Sequence, residues 1–232
     1  MSNEASANPT SESTLQQGDH QLLLVTLQNE GRFNPKSLAA VESAIERVTD
    51  DTNTHGLVFT GEGKVFAQGL DLEYLQSEQP DAAMQFVHNC LHMIGKLLVM
   101  PVPVISAING HAFGLGAMIA MASDYKAMRA DRGFFCMPEI DMGMNLIPSM
   151  NALVCGKLSG NNLRDVLLAG SRIGGADALK RGMVDACSDP DQLIAQATAL
   201  AEPMLGKPRQ TLSELKRGIN QPILDVIAAG GQ

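Results

Sequence analysis

The stretch NGHAFGLGA, residues 109–117, lies between a predicted strand and a predicted helix. The strand is the apolar run Pro101–Ala107, and the helix is Leu115–Ala122. Glycines let the backbone turn tightly and approach a ligand, and the first N–H groups of a helix have no partner inside that helix. The stretch therefore predicts a strand–turn–helix unit that can present backbone amides to a ligand.

A second glycine-rich turn, GEGKVFAQGLDL at residues 61–72, follows the predicted strand His55–Thr60. Two such turns can supply a pair of converging amide donors, although the plainer interpretation is that the glycines only permit tight turns. Neither turn contains the Gly-Lys-Ser/Thr of a P-loop or the full dinucleotide fingerprint. Nucleotide hydrolysis and hydride transfer are therefore disfavoured.

The rest of the chain repeats this alternation of strands and helices. A buried strand is predicted at Gln21–Leu27, and Ser37 is predicted to cap a helix whose apolar positions recur at helical spacing (Leu38, Val41, Ala44, Ile45 and Val48). A second helix, Ala82–Leu98, carries a similar stripe: Met84, Val87, Leu91, Ile94 and Leu98. Strands follow at Tyr125–Arg129 and near Phe134–Met137. The pattern predicts an α/β fold with parallel crossovers.

The domain organisation is predicted to be simple. Residues 1–19 are polar and are expected to form a flexible tail, and residues 20–232 are expected to form a single domain. Its last part, from about residue 149, has helical periodicity. The N-terminal residues lack the features of a signal peptide, and no apolar run is long enough to span a bilayer.

Composition excludes two classes of protein. Hydrophobic residues make up 45% of the chain, too many for a disordered protein. The net charge of -8 would repel a phosphate backbone, so nucleic-acid binding is not expected. The cysteines at positions 90, 136, 155 and 187 are dispersed and lack metal-binding or disulfide-scaffold spacing, which favours reduced thiols and a cytoplasmic location.

Four segments together resemble the crotonase (enoyl-CoA hydratase/isomerase) family: FAQGLDL at 66–72, PVISAINGHAFGLG at 103–116, ASDY at 122–125 and MPEIDMG at 137–143. They are in the family's order and cover most of the chain from Gln21 onward. The resemblance implies a spiral of repeated ββα units, homotrimers or paired trimers, and acyl-CoA thioester substrates. Coenzyme A would then be part of the substrate, with no separate cofactor and no metal.

The resemblance also implies an oxyanion hole formed by the backbone N–H groups of Leu70 and Leu115. Family members commonly have a small residue at the second position, so the side chain of Leu115 must point away from the thioester. By the same resemblance, substrate and coenzyme A would contact a set of residues around the two turns: Ala67, Gln68, Gly69, Leu70, Asp71, Gly114 and Met118. Asp71 is more simply interpreted as a helix cap.

The carboxylates distinguish the reactions of the family. Its hydratases use two glutamates, and the first of these positions is Met118 in this chain. The second is Glu139, which follows Pro138. A single carboxylate is what the Δ3,Δ2-enoyl-CoA isomerases of the family use, because one base can remove a proton and return it elsewhere. The apolar neighbours of Glu139 predict partial desolvation and a raised pKa.

We therefore expect a Δ3,Δ2-enoyl-CoA isomerase of fatty-acid breakdown, with Glu139 as the catalytic residue. The alternatives are a hydratase or another thioester-enolate reaction of the same fold, and a catalytically silent oligomeric acyl-CoA-binding protein. A carboxylate beside the oxyanion hole favours an enzyme over the silent protein.

Other candidate groups are weaker. His88 and His92 are four residues apart on a helix but lack a third metal ligand in the sequence pattern. Ser106 lies in a predicted buried strand, so a packing role is simpler than a role in nucleophilic catalysis. Lys216 and Arg217 lie where family members often place cations near the coenzyme A phosphates, although adjacent charges are more often a solvated helix face.

Overall fold

A computed structural model describes residues 8–230 of the chain. The strands are β1 Thr10–Gln17, β2 His20–Leu27, β3 Arg32–Phe33, β4 Thr54–Gly61, β5 Val65–Ala67, β6 Gly69–Leu70, β7 Val104–Ile108, β8 His111–Phe113, β9 Tyr125–Arg129, β10 Phe135–Cys136 and β11 Ala186–Ser188. The helices are α1 Pro35–Asp50, α2 Leu72–Ser77, α3 Pro80–Leu98, α4 Leu115–Ala122, α5 Pro148–Lys157, α6 Gly160–Leu167, α7 Gly175–Lys180, α8 Leu193–Leu200 and α9 Arg209–Ala228.

The main sheet has six strands in the order β1-β2-β4-β7-β9-β11. All neighbours are parallel except β1 and β2, which form an antiparallel hairpin. Strands β4 and β7 are almost entirely buried because helices cover both faces of the sheet. Leu57, Phe59 and Val104 belong to the larger apolar core, whereas Val58 and Ile105 pack with α8 on the other face.

A second, smaller layer of strands accompanies the main sheet. Strands β10, β8 and β5 form a three-stranded parallel sheet, and β3 pairs with β6. The chain repeatedly places one strand in the main sheet, the next strand in this smaller layer, and then a helix. The units β7-β8-α4 and β9-β10-α5 show this pattern, which confirms the predicted α/β fold of repeated ββα units.

The N-terminal prediction was wrong in part. Residues 10–17 form strand β1 and pair along their whole length with β2, rather than belonging to a flexible tail. Most of the β1 side chains are polar and exposed, so the segment has no apolar run that would have marked it as a strand. Residues 1–7 of the predicted tail lie outside the described residues.

Three local predictions are also corrected. The N-cap of α1 is Asn34, whose side chain accepts hydrogen bonds from the Lys36 and Ser37 N–H groups, while Ser37 completes a capping box. Met84 is exposed rather than part of the buried stripe of α3. The C-terminal part is mostly helical as predicted, but it also contributes β11 to the edge of the main sheet.

Helix α9 packs over the N-terminal ends of β7 and β9. Lys216 on this helix is 4% exposed, and its Nζ donates to Asp124 Oδ2 at 2.6 Å. Asn220, one turn later, donates to the Leu98 carbonyl oxygen. Among residues 8–230, no helix is both long enough and apolar enough to cross a membrane.

Candidate active site

The three-stranded sheet β10-β8-β5 brings three loops to one edge. Because the strands are parallel, the segments that follow them all emerge at their carboxyl ends. Residues 68–70 follow β5, Gly114 and Leu115 follow β8, and Pro138 and Glu139 follow β10. Segments that are far apart in sequence therefore meet at one place.

The first loop is held by β3 and by the turn that precedes it. The Gln68 N–H donates to the Glu30 carbonyl oxygen and the Asp71 N–H to the Phe33 carbonyl oxygen, both at 2.9 Å. Successive N–H groups of an extended chain point to opposite sides. The Leu70 N–H, next to that of Asp71, is thus directed away from β3.

The second loop turns directly into α4. Gly114 has φ +49° and is the N-cap of this helix, without a side-chain hydrogen bond to the first turn. Leu115 is the first helical residue, so its N–H has no acceptor within the helix. The Leu115 side chain is 2% exposed and packs in the core, which agrees with the expectation that it points away from a ligand at the backbone.

The two loops are in direct contact. Gly69 has φ +98°, and a Cβ atom added there would lie 2.8 Å from both the Leu115 nitrogen and the Phe113 carbonyl oxygen. Only glycine allows this approach without displacing the backbone of the second loop. The loops that carry the Leu70 and Leu115 amides are therefore adjacent, as the resemblance implied.

Glu139 lies against the same turn. A Cβ atom added to Gly114 would lie 3.8 Å from Glu139 Oε1 and 3.9 Å from the Gln68 carbonyl oxygen. Glu139 Oε2 is buried and has no hydrogen-bond partner. Burial raises the pKa of this carboxyl, while a backbone hydrogen bond opposes the shift. The predicted direction is confirmed.

The apolar surroundings of Glu139 are only partly enclosed. Phe135 and Met137 are buried, whereas Phe134, Ile140 and Met142 are among the exposed large side chains. The turn after Glu139 is fixed by its own carbonyl oxygen, which accepts hydrogen bonds from the Met142 and Met144 N–H groups. The backbone at Glu139 is therefore held in place, while one wall around the carboxyl remains open.

The remaining predicted residues have clear structural positions. Ala67 is buried between Gly31 and Gly116, since a Cβ atom at either glycine would collide with it. Asp71 caps α2 by accepting a hydrogen bond from the Tyr74 N–H, which confirms its predicted capping role. Met118 is buried in α4, one turn beyond Leu115. Contacts of these residues with coenzyme A stay a prediction.

The candidate phosphate contact at Lys216 was wrong. This side chain is buried and bonded to Asp124 and to the Val102 carbonyl oxygen, so it is neither a solvated residue nor a free cation. Ser106 is buried and hydrogen-bonded to Ser123 Oγ, consistent with packing rather than nucleophilic catalysis.

Sequence reasoning missed one residue that joins the two glycine-rich turns. The Asn109 side chain accepts a hydrogen bond from the Gly61 N–H at 2.8 Å and donates to the Gly63 carbonyl oxygen at 3.2 Å. Its position directly before Gly110 was the available signal, because asparagine side chains often bond to nearby turn backbone.

Comparison with known families agrees with this geometry. A family model described as "Enoyl-CoA hydratase/isomerase" matches residues 18–230. "Enoyl-CoA delta isomerase 3" of Arabidopsis thaliana is 38% identical over 197 residues, which cover 82% of this chain and 83% of that protein. "Enoyl-CoA delta isomerase 2, peroxisomal" of the same plant is 33% identical with the same coverage. "Probable enoyl-CoA hydratase, mitochondrial" of Dictyostelium discoideum is 26% identical and covers 85% of this chain and 71% of that protein.

Solved structures share the fold. A probable enoyl-CoA hydratase of Mycobacterium tuberculosis superposes with a TM-score of 0.85 at 23% identity, covering 96% of this chain and 92% of that chain. A separate apo structure of the same protein, there described as an enoyl-CoA isomerase, gives a TM-score of 0.84 at 22% identity, with 96% of both chains covered. These matches confirm the crotonase fold. With its sequence match from residue 18 to residue 230, the chain belongs to the enoyl-CoA hydratase/isomerase family of enzymes.

Proposed function

We propose that this enzyme is a Δ3,Δ2-enoyl-CoA isomerase that uses Glu139 as its single acid/base. The observation that carries the proposal is a buried Glu139 carboxylate oxygen without a hydrogen-bond partner, next to the Gly114 turn that the loop at Gly69 also contacts. The similarity to two delta isomerases at 33% identity or more supports the same assignment.

The amides of Leu70 and Leu115 would hold the thioester oxygen. When a proton leaves the carbon next to the thioester, negative charge develops on that oxygen, and two fixed N–H donors stabilise it without reorganising. Each such donor lowers the barrier by about 3 kcal/mol in comparable sites. The position of Leu115 at the N-terminus of α4 adds a favourable dipole.

Glu139 would carry the proton. It removes a proton from C2 of the 3-enoyl thioester, the electron pair of that bond moves into an enolate conjugated with the double bond, and the same carboxyl returns the proton to C4. The product is the conjugated 2-enoyl thioester. One group can do both steps because accepting the proton makes it the acid, and its raised pKa makes it a stronger base than an exposed glutamate.

Hydration needs a second acid/base residue, and helix α4 has none at the corresponding position. Met118 occupies the position where hydratases of the resembled pattern have a glutamate, and a thioether neither accepts nor donates a proton. Isomerisation is therefore favoured over hydration. A relative named as a probable enoyl-CoA hydratase is the reason that hydration is tested as well. A silent acyl-CoA-binding protein is disfavoured because it would gain nothing from a desolvated carboxylate at this point.

We further propose that residues 67–71 line the thioester and the pantetheine arm of an acyl-CoA, so that coenzyme A arrives with the substrate and no other cofactor takes part. The predicted homotrimer or paired trimer is part of this proposal, since closed symmetric assemblies are usual for homo-oligomers. The cytoplasmic location stays a prediction, and two plant relatives carry the word "peroxisomal" in their names.

The direct test is an assay of the purified protein with two substrates. We expect a 3-enoyl-CoA to be converted to its conjugated isomer, which is detected by the ultraviolet absorbance of the conjugated thioester. With 2-enoyl-CoA we expect little or no hydration. Fast hydration without isomerisation would assign the protein to the hydratases, and saturable acyl-CoA binding without either reaction would indicate the silent protein.

A further inference from the structure

A cavity lies at the opposite end of α4 from the candidate active site. It has a volume of about 470 Å³ and is lined by Met121 at the end of α4, Lys126 at the start of β9, and residues of α5 and α9. Met121 is six residues after Leu115 on α4, which corresponds to about 9 Å along the helix axis at a rise of about 1.5 Å per residue. The cavity therefore belongs to neither the oxyanion turns nor Glu139.

Two of the lysines that line this cavity have carboxylate partners. Lys216 Nζ lies 2.6 Å from Asp124 Oδ2, and Lys126 Nζ lies 3.9 Å from Asp185 Oδ2. Both lysines are mostly removed from solvent, and burial lowers the pKa of each, while the aspartates oppose that shift. These two charges are compensated within the protein.

The third lysine has no such compensation. Lys157 on α5 donates to the neutral Asn220 Oδ1 at 2.8 Å, and within residues 8–230 no carboxylate oxygen lies within 4 Å of its ammonium group. Burial is the main cause that lowers the pKa of Lys157, and the ammonium groups of Lys126 and Lys216 add to it, with Asp124 opposing. The cavity thus contains one more positive charge than negative charge, which is costly in a partly buried site.

The remaining walls are apolar. Met121, Phe135 and Leu158 are buried at its inner side. At its outer side, Leu215 and Ile219 of α9 are 62% and 77% exposed, a large exposure for two aliphatic side chains on one helix face. The cavity therefore combines a cationic centre with an apolar inner wall and an apolar rim.

We propose that this cavity binds an aliphatic monocarboxylate, with its carboxylate on the Lys157 ammonium and its chain along the apolar wall toward Leu215 and Ile219. A single negative charge matches the single uncompensated lysine. The volume lies within the usual range of small-molecule sites, about 300 to 1,000 Å³. This site is independent of the proposed isomerase activity, because it uses none of the residues assigned to catalysis.

The test is calorimetric titration of the full-length protein with octanoate. We expect one site per chain with a Kd below about 1 mM, and binding of 1-octanol weaker by at least about tenfold because it lacks the charge. Inorganic phosphate should bind less tightly than octanoate because it lacks the chain. Saturation of the protein with octanoyl-CoA should leave octanoate binding unchanged.

Two variants and a control make the test specific. Lys157→Met keeps the length of the side chain and should weaken octanoate binding by at least about tenfold. Lys157→Gln, which can still donate to Asn220, should do the same if the charge is what matters. Lys180→Met removes a lysine that is 80% exposed and should leave binding unchanged.

Four results would overturn the proposal. They are no saturable octanoate binding, equal binding by the wild type and both Lys157 variants, competition by octanoyl-CoA, and phosphate binding tighter than octanoate. If octanoate does not bind and Lys157→Met instead changes the mass of the assembly in light scattering, the face is a contact between copies of this chain.

Discussion

Glu139 is a carboxylate placed where its charge is poorly solvated. One of its oxygens is buried without a hydrogen-bond partner, and the other faces the Gly114 turn. An unpaired acceptor of this kind costs stability, and the proposed catalytic role would account for that cost. In the proposed mechanism the missing partner is supplied by the proton that moves between the two carbons of the substrate.

The pH dependence of turnover should report this carboxyl. Since burial raises its pKa above the ordinary value of 4.5, Glu139 becomes protonated, and therefore inactive as a base, at a higher pH than an exposed glutamate. We expect kcat/KM for 3-enoyl-CoA to fall as the pH is lowered, with its acidic midpoint above 4.5. A midpoint at or below that value, in a protein that circular dichroism shows to be folded, would contradict the assigned environment.

At the scale of elements, the site depends on how closely two loops approach each other. Strands β5 and β8 bring the loops to one edge, and Gly69 lets their backbones touch. Two backbone donors are useful only if their separation is fixed, because the oxyanion must contact both. The fixed separation of the two donors therefore requires glycine at position 69, although Gly69 itself takes no part in the chemistry.

Gly69→Ala should separate the amides of Leu70 and Leu115. The added Cβ would clash with the Leu115 nitrogen and the Phe113 oxygen, and we expect kcat to fall by about 100-fold, comparable to the loss of one oxyanion donor. Gly63→Ala is the matched control, since Gly63 also has positive φ but has no atom within 4 Å of an added Cβ. It should lose about 1 kcal/mol of stability through backbone strain and keep its activity. Equal activity of both variants in the isomerase assay would disprove the role of the close approach.

At the scale of the whole molecule, the buried Lys216–Asp124 pair attaches α9 to the main sheet. Asp124 Oδ2 also accepts a hydrogen bond from the Val104 N–H, so one carboxylate joins α9, β7 and β9. Neither charge is well exposed to solvent, and removal of one partner leaves the other uncompensated.

Asp124→Asn should therefore destabilise the protein by about 3 kcal/mol, measured by urea unfolding at neutral pH. The double variant Asp124→Asn with Lys216→Met should recover part of that loss, because it also removes the buried ammonium group of Lys216, which would otherwise have no partner. If the double variant is less stable than the sum of the two single variants predicts, the pair is not the source of the effect.

Much of the fold could be predicted from the sequence because apolar runs and helical stripes mark the buried elements. Helix α4 and strand β9 have the predicted bounds. Strand β1 was missed because its pairing with β2 is made by the backbone, while its side chains are mainly polar and exposed. The burial of Lys216 was not predictable either, since its partner Asp124 is 92 residues away in sequence.

The glycine-rich turns could be recognised from the residues themselves, but the role of Glu139 was predictable only through the resemblance. Periodicity marks Glu139 as a charge near a strand end, and nothing local indicates that β10 pairs with β8 and so delivers this carboxyl to the Gly114 turn. Contacts between distant segments depend on sheet order, which the residues near Glu139 do not encode by themselves.

The most direct test of the acid/base role of Glu139 is the isomerase activity of Glu139→Gln. Glutamine keeps the shape of the side chain but cannot act as the base, so turnover of 3-enoyl-CoA should fall by at least about 100-fold while acyl-CoA binding persists. Glu214→Gln, at an exposed position of α9, is the control and should retain full activity. Turnover near the wild-type rate in Glu139→Gln would contradict the account.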